Sequence, residues 1–551
     1  MAYWSTRWVL AVASSTLLTG PSGAAELPIF TDVTRQAGIQ FKHSYGDLEL
    51  DNIVESTGTG ACMFDYDNDG FLDIYLVNGA WTDGVSDNRA RRLRGKLRNH
   101  LYRNNGDGSF TDVTKQTGTG GDTFGTGCSA ADYDNDGDVD LYVLNYSANA
   151  LYQNDGNGRF IDVAERSGLD LPRWSIHAVW LDINNDGWLD VYVANYLKYD
   201  DGVFREFFAV QAFPGPLSYG GEPDSLFLNN GDGTFSEITE RAGVFKPDGR
   251  AMSVAAADFN NDGLPSIFVT NDAMGNYHFE NRGGLSFSEN ALKWGLAYGE
   301  NGQNVSSMGP AIGDVNRDGR LDVFIPDLNY CTLLLQGEHG FRHEIRSSGL
   351  SVVMGQYTGW GPVLFDYDND GWLDLFTSHG NAHHEYSEED TLARNTRDGT
   401  FADVSLQSGP YFREKYVGRG VTHGDYDNDG DVDLLVVNLN DVPNLLRNDG
   451  GNRNHWLRVE ARLKFPTGTR HAIGARVTVT TGDLRQIEDL LPIRGYLGQA
   501  DPRLHFGIGK AAVVDVVEIR WPDGVVEKLH DVKANQTLKL THEPQPTEAK
   551  P

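Results

Sequence analysis

Seven times along the chain, side-chain oxygens recur at alternate positions of a nine-residue string, D-x-[DN]-x-[DN]-G-x-x-D. The copies are Asp65, Asp67, Asp69 and Asp73; Asp132, Asp134, Asp136 and Asp140; Asp182, Asn184, Asp186 and Asp190; and Asp258, Asn260 and Asp262. They continue with Asp314, Asn316, Asp318 and Asp322; Asp366, Asp368, Asp370 and Asp374; and Asp425, Asp427, Asp429 and Asp433. In a tightly curved loop alternate side chains converge on one centre, the glycine at the sixth place permits the turn, and the seventh residue offers a carbonyl. Hard oxygen donors in six or seven places suit Ca2+ better than Mg2+, which demands a tighter octahedron, and far better than zinc. An EF-hand would require a gripping carboxylate at the twelfth position, which in the first copy is Leu76. The ninth residue, Asp73, is expected to supply that carboxylate instead. In the fourth copy Ser266 replaces it, so calcium at that loop is an open question while up to seven sites are expected overall.

A lone string of this kind is also ordinary turn chemistry. Recurrence argues for the metal: Asp65 and Asp425 lie 360 residues apart over six intervals, a mean of 60. The segments after the loops, LDIYLVN, VDLYVLN, LDVYVAN and their equivalents, are short and rich in β-branched and aromatic residues, a strand signature. Short Gly/Ala-rich runs precede the loops and read as close-packed inner strands. A second hairpin, such as LYRNNGDGSFTDVT at 101, alternates with the first. It is weakened at 278 and 333.

Four strands per repeat, repeated seven times, give an all-β fold: a seven-bladed β-propeller. The seventh repeat lacks its last strand, and PIFTDVT at 28 lacks a preceding half. The strand around Phe30 to Thr34 is therefore expected to complete the blade ended by Leu445 to Asn448, locking the ring. Past about Gly451 the pattern changes to a smaller C-terminal β domain without acidic loops. The expected organisation is a signal peptide over 1–25, the propeller over 26–452, the β domain over 453–543 and a polar tail over 544–551.

The signal is read from Arg7, the apolar run Val9 to Leu18 and the small residues Gly23, Ala24 and Ala25. The run is too short to span a bilayer, and no later segment is long enough, so a secreted, periplasmic or extracellular protein is expected. With 78 acidic against 46 basic residues, the net charge of -32 disfavours nucleic acid as a partner. The basic run Arg91 to Arg98 reads as a solvated loop. Cys62, Cys128 and Cys331 are too few for a disulfide framework and read as buried thiols. A Cys62–Cys128 bridge is the sharper alternative, because the two occupy nearly equivalent places in successive repeats.

Other candidates for chemistry are weaker. His379, His383 and His384 with Glu385 could be imagined as a transition-metal site, but no ligand pair falls at fixed spacing. Trp174, His177, Trp360 and His423 precede acidic loops and could point into a central funnel. Asn145, Asn304 and Asn535 lie in N-x-S/T strings. No nucleophile-elbow, zincin or P-loop string is present.

The repeats resemble the FG-GAP/VCBS class of integrin alpha-subunit propellers, whose calcium loops share this five-ligand form. NHWLRVEARL, AIGARVTV, GYLGQ at 495, LHFGIG at 504 and the WPDG of Trp521 to Gly524 resemble an ASPIC/UnbV domain. That order of domains is similar to the cartilage acidic protein family and its bacterial relatives. The resemblance implies a secreted calcium-binding propeller, associated with extracellular matrix in the animal members. On residues and resemblance together, the expected function is an extracellular binding or adhesion module for a protein or glycan. The alternative is an exported enzyme with its active site in the propeller funnel, and the absence of a catalytic string weighs against it.

Overall fold

Each acidic loop sits at a hairpin bend, as the strand patterns on either side require. The computed structural model describes residues 27–199 and 213–544; the expected signal segment and most of the tail lie outside them. In the first blade, strands Ala61–Phe64, Asp73–Leu76, His100–Asn104 and Phe110–Asp112 pair in chain order. Phe64 stands opposite Asp73, so the loop between them is the hairpin turn. Six further four-stranded sheets follow, with inner strands beginning at Gly125, Ser175, Ala251, Ala311, Gly359 and Gly418. The weakened outer hairpins of the fourth and fifth repeats form nonetheless, over Phe287–Glu289 and Gly340–His343.

The seventh sheet takes its outer strand from the start of the described chain. Ile29–Asp32 pairs antiparallel with Asn444–Asp449, placing Ile29 opposite Asp449 and Asp32 opposite Leu446. The two half-motifs thus complete one blade, as expected, and the fold is a seven-bladed propeller. Among the described residues no sheet closes on itself; the ring closes by blades packing side by side.

A ring of buried amides stitches those seams. Asn104 ends the third strand of the first blade, and its Nδ2 donates to the Tyr426 carbonyl of the seventh at 2.9 Å. Asn154, Asn229, Asn281, Gln336, Asn395 and Asn448 donate in the same way to Tyr66, Tyr133, Ile183, Phe259, Val315 and Tyr367 of the preceding blade. A buried carbonyl left without a donor is costly, so each amide fixes blade spacing as well as joining two strands.

Beyond the last blade, strands pair into two further four-stranded sheets. One joins His455–Lys464 to Thr469–His471, Leu504–Gly509 and, in parallel, Gln536–His542. The other runs Leu484–Asp489, Arg476–Thr481, Val513–Arg520 and Val526–Lys533. Their apolar faces share one core with the second, third and fourth blades.

Between Asp489 and Leu504 the chain leaves these sheets and enters the propeller channel. Gln499 exchanges backbone hydrogen bonds with Ala61 and Met63, and its side chain accepts from Ala130 N at 2.6 Å and donates to Ala130 O at 2.9 Å. His177 Nε2 meets the Gly498 carbonyl at 3.2 Å, and Ser253 Oγ donates to Gly495 O at 2.9 Å. Gly495 N donates to Pro310 O, Tyr496 packs on Trp360 with ring centroids 5.2 Å apart, and Asp501 N donates to His423 O. Every inner strand or the residue leading into it therefore touches this plug. The Gly/Ala character of the inner strands follows from it: a Cβ at Gly60 would overlap the Leu497 carbonyl.

Cys62 and Cys128, on the inner strands of the first two blades, form a disulfide, and only Cys331 is free and buried. This corrects the reading of all three as thiols in favour of the bridged alternative. Two facing strands brought the equivalent positions together.

Candidate metal loops

The seven loops share one backbone form. In the first, the N–H groups of Asp69 and Gly70 donate to the two oxygens of Asp65 at 3.1 and 2.8 Å, winding the loop about its leading carboxylate. The same pair recurs on Asp132, Asp182, Asp258, Asp314, Asp366 and Asp425. Gly70 has φ of 91°, as its place in the turn requires.

The ninth-position carboxylate does more than its expected part. Asp73 is fully buried; its Oδ1 accepts the N–H of Asn104 at 2.8 Å and its Oδ2 that of Tyr66 at 3.0 Å. Asp140, Asp190, Asp322, Asp374 and Asp433 each make the equivalent pair. The residue thus ties loop to third strand whatever else it binds. In the fourth loop Ser266 Oγ takes over half of this duty, accepting from Asn281 N at 3.3 Å.

Four loops bring three carboxylates together, with ligand atoms within 4.8 Å of one another: Asp65, Asp67 and Asp73; Asp132, Asp134 and Asp136; Asp366, Asp368 and Asp374; Asp425, Asp427 and Asp433. Burial, reinforced by mutual repulsion, pushes Asp65 to about 6 and Asp132 to about 7. Burial likewise holds Asp425 at about 7, although Arg458 and Arg503 oppose the shift. Asp134, Asp368 and Asp427 each retain a buried Oδ1 with no hydrogen-bond partner. Converging acceptors with orphaned oxygens fit a hard cation. In loops three, four and five an asparagine replaces the third-position aspartate, and Asn184, Asn260 and Asn316 donate to Asp186, Asp262 and Asp318. Arg520 of the C-terminal sheets pairs with Asp258 in the fourth loop.

The fourth position carries no ligand in the string, yet it has a structural role in every loop. Asn68, Asn135, Asn185, Asn261, Asn369 and Asn428 occupy it with φ between 53° and 60°, and Arg317 is the exception in identity. Asn adopts this left-handed region more readily than most residues, and its recurrence was visible in the string. Asn68, Asn135, Asn369 and Asn428 donate through Nδ2 to the sixth-position glycine carbonyl of the next loop. The C-terminal sheets grip the other end of the amide: Arg470 on Asn135 Oδ1 at 2.7 Å, Arg476 on Asn261 at 2.9 Å, His505 on Asn369 at 2.7 Å and Arg458 on Asn428 at 2.8 Å. Loops, ring and C-terminal sheets are therefore one hydrogen-bonded assembly.

The other candidates are placed apart. His379 is fully buried, meeting Glu389 O at 3.0 Å; His384 stacks beside Tyr386; Glu385 accepts from the Tyr45 hydroxyl. They do not converge on one centre among the described residues. His177, Trp360 and His423 contact the plug, and Trp174 packs on Tyr196 with centroids 4.9 Å apart. Asn145 is 1% exposed, which bars it as a glycan acceptor, whereas Asn304 and Asn535 are exposed. A further acidic group, Asp47, Asp51 and Glu55, lies outside the loops and has no periodic signal in the sequence. No helix among the described residues is long and apolar enough to cross a membrane.

Comparison with known proteins accords with this geometry. The FG-GAP-like repeat family matches residues 65–143, 132–193, 207–269, 258–325 and 366–436, and the ASPIC and UnbV family matches 466–547. Cartilage acidic protein 1 of Homo sapiens is 28% identical over 333 residues, covering 58% of this chain and 48% of the relative. The Mus musculus protein of that name is also 28% identical, over 334 residues, 58% of this chain and 49% of its own. The chain thus spans about half the length of these relatives. Among solved structures, an Agrocybe aegerita lectin that recognises non-reducing terminal N-acetylglucosamine aligns at 17% identity and a TM-score of 0.38, over 69% of this chain and 86% of its own. Repeats matched over more than half the chain, followed by the matched C-terminal region, assign this protein to the FG-GAP repeat family, with an ASPIC/UnbV domain after the repeats.

Proposed function

We propose that this protein is an exported, calcium-stabilised interaction module, with residues 26–452 as the propeller and 453–543 as the domain docked on its loops. Calcium would be held by the first-, third-, fifth- and ninth-position side chains, for example Asp65, Asp67, Asp69 and Asp73. The observation that carries the reading is the set of orphaned buried oxygens on Asp134, Asp368 and Asp427 inside converging carboxylate groups. Bound calcium would cancel their repulsion and turn binding energy into folding energy. Export is supported by the signal pattern before Glu26 and by the Cys62–Cys128 disulfide, a bond that persists in oxidising compartments. A binding role for a protein or glycan is supported by kinship with cartilage acidic protein 1. The plug that enters the channel also engages the imidazole of His177 in a structural bond.

Thermal melting with and without a calcium chelator tests the metal. A site held at a hundredfold over its Kd adds about 2.7 kcal/mol, so several sites together should lower Tm by several degrees on chelation, with recovery in Ca2+ and not in Mg2+. An unchanged Tm overturns the calcium role.

A further inference from the structure

Away from the acidic loops, the other end of the channel holds a cavity of about 240 Å3. It lies where the inner strands begin, whereas the loops lie where they end: Met252 and Trp360 face it at the starts of strands that lead to Asp258 and Asp366. Ile53, Tyr196, Phe213 and Met308 complete apolar walls, and the surrounding cluster includes Tyr496 and Leu497 of the plug.

Among the described residues that line this space, one is a carboxylate. Asp272 is 6% exposed; its Oδ2 accepts the Tyr196 hydroxyl at 2.5 Å, while Oδ1 is buried without a hydrogen-bond partner. Among the described residues no cation donates a hydrogen bond to Asp272, although the charge of Arg250, whose buried Nε has no partner, acts on it. Arg250 donates to Tyr219 O and Met274 Sδ, and Arg419 donates to the carbonyls of Ser56, Gly418 and Asn381 at 2.9, 2.9 and 3.1 Å. His383 also lines the cavity, and burial lowers its pKa, favouring the neutral imidazole. Burial raises the Asp272 carboxyl above its ordinary value, while the hydroxyls of Tyr196 and Ser306 and the nearby His383 and Arg250 oppose the shift. The unpartnered Oδ1, facing an apolar, aromatic-walled space, is open to a donor from a ligand. An ammonium supplies three donors and a charge, and aromatic faces attract it.

We propose that this cavity binds a small apolar molecule bearing one protonated amine, with its ammonium on Asp272 Oδ1 and its hydrocarbon part between Met252, Met308 and Trp360. A space of about 240 Å3 has room for a ligand of about nine non-hydrogen atoms.

The test is titration of the full-length, calcium-loaded protein with phenethylammonium and, in parallel, with the neutral isostere 2-phenylethanol, by calorimetry and tryptophan fluorescence. The ammonium is expected to bind about tenfold or more tightly than the alcohol, as a charge-assisted bond implies. Asp272→Asn, which keeps an acceptor for Tyr196, should erase that preference and leave the calcium-dependent Tm unchanged. Should that variant not fold, the wild-type comparison decides alone. Equal affinities, or no saturable signal for either probe, overturn the proposal.

Discussion

Replacing Asn104 with alanine removes the side chain that bridges the first and seventh blades. Asn104 is 2% exposed and makes three side-chain bonds: Nδ2 to Tyr426 O at 2.9 Å, Nδ2 to Leu72 O at 3.0 Å, and Oδ1 from Gly106 N at 3.0 Å. At a net value of about 1 kcal/mol each, their loss destabilises by about 3 kcal/mol, with the stranded carbonyls adding to it. Unfolding entropy of about 2 cal/mol/K per residue over a chain of 551 residues gives about 1.2 kcal/mol per degree, hence a Tm lowered by about 2–3 °C. Gln336 is the internal control, because it makes only the interblade bond, Nε2 to Phe259 O at 2.6 Å, and leaves Oε1 unpartnered. Gln336→Ala should therefore lose about a third as much. Scanning calorimetry of both variants at constant calcium gives the comparison. If Asn104→Ala melts with the wild type, or no lower than Gln336→Ala, the amide ring is not what holds the seam.

Two further outcomes follow from the plug. His177 is fully buried against Gly498, and burial lowers its pKa from 6.5 to about 4. The unfolded chain then takes up a proton that the folded one refuses, so stability is lost as pH falls from 6.5 to 4, by about 3 kcal/mol from this group. Urea midpoints of His177→Gln should accordingly fall less steeply than those of the wild type between pH 6 and 4.5, and parallel curves would refute the assignment. Gly60→Ala sets a methyl against the Leu497 carbonyl, so the plug should leave the channel. Limited trypsin digestion should then cut after Arg494, a bond the wild type protects; equal resistance would show that the channel accommodates the methyl.

The acidic loops, the strands beside them and the completion of the last blade by Ile29–Asp32 were all legible in the residues. These features are local or repetitive: ligand spacing reports a loop's curvature, two-residue periodicity reports a strand, and half a motif at each end reports a missing partner. The structural duty of Asp73 and its equivalents was half legible, since the oxygens that a ninth-position carboxylate would offer a metal are the same ones that accept two backbone N–H groups. Asn68 and its equivalents were legible in principle, as a fourth-position amide recurring without a ligand role. By itself, then, the sequence determined the repeat, the loop chemistry and the closing strand. Only the tertiary structure decided that GYLGQ enters the channel, that Cys62 meets Cys128, and that Asp272 is left facing a cavity. Tyr496 and Thr57, which share a hydrogen bond, are 439 residues apart. No local spacing encodes such a pairing, because it arises when seven blades close around an axis and a segment from another domain enters the space they leave.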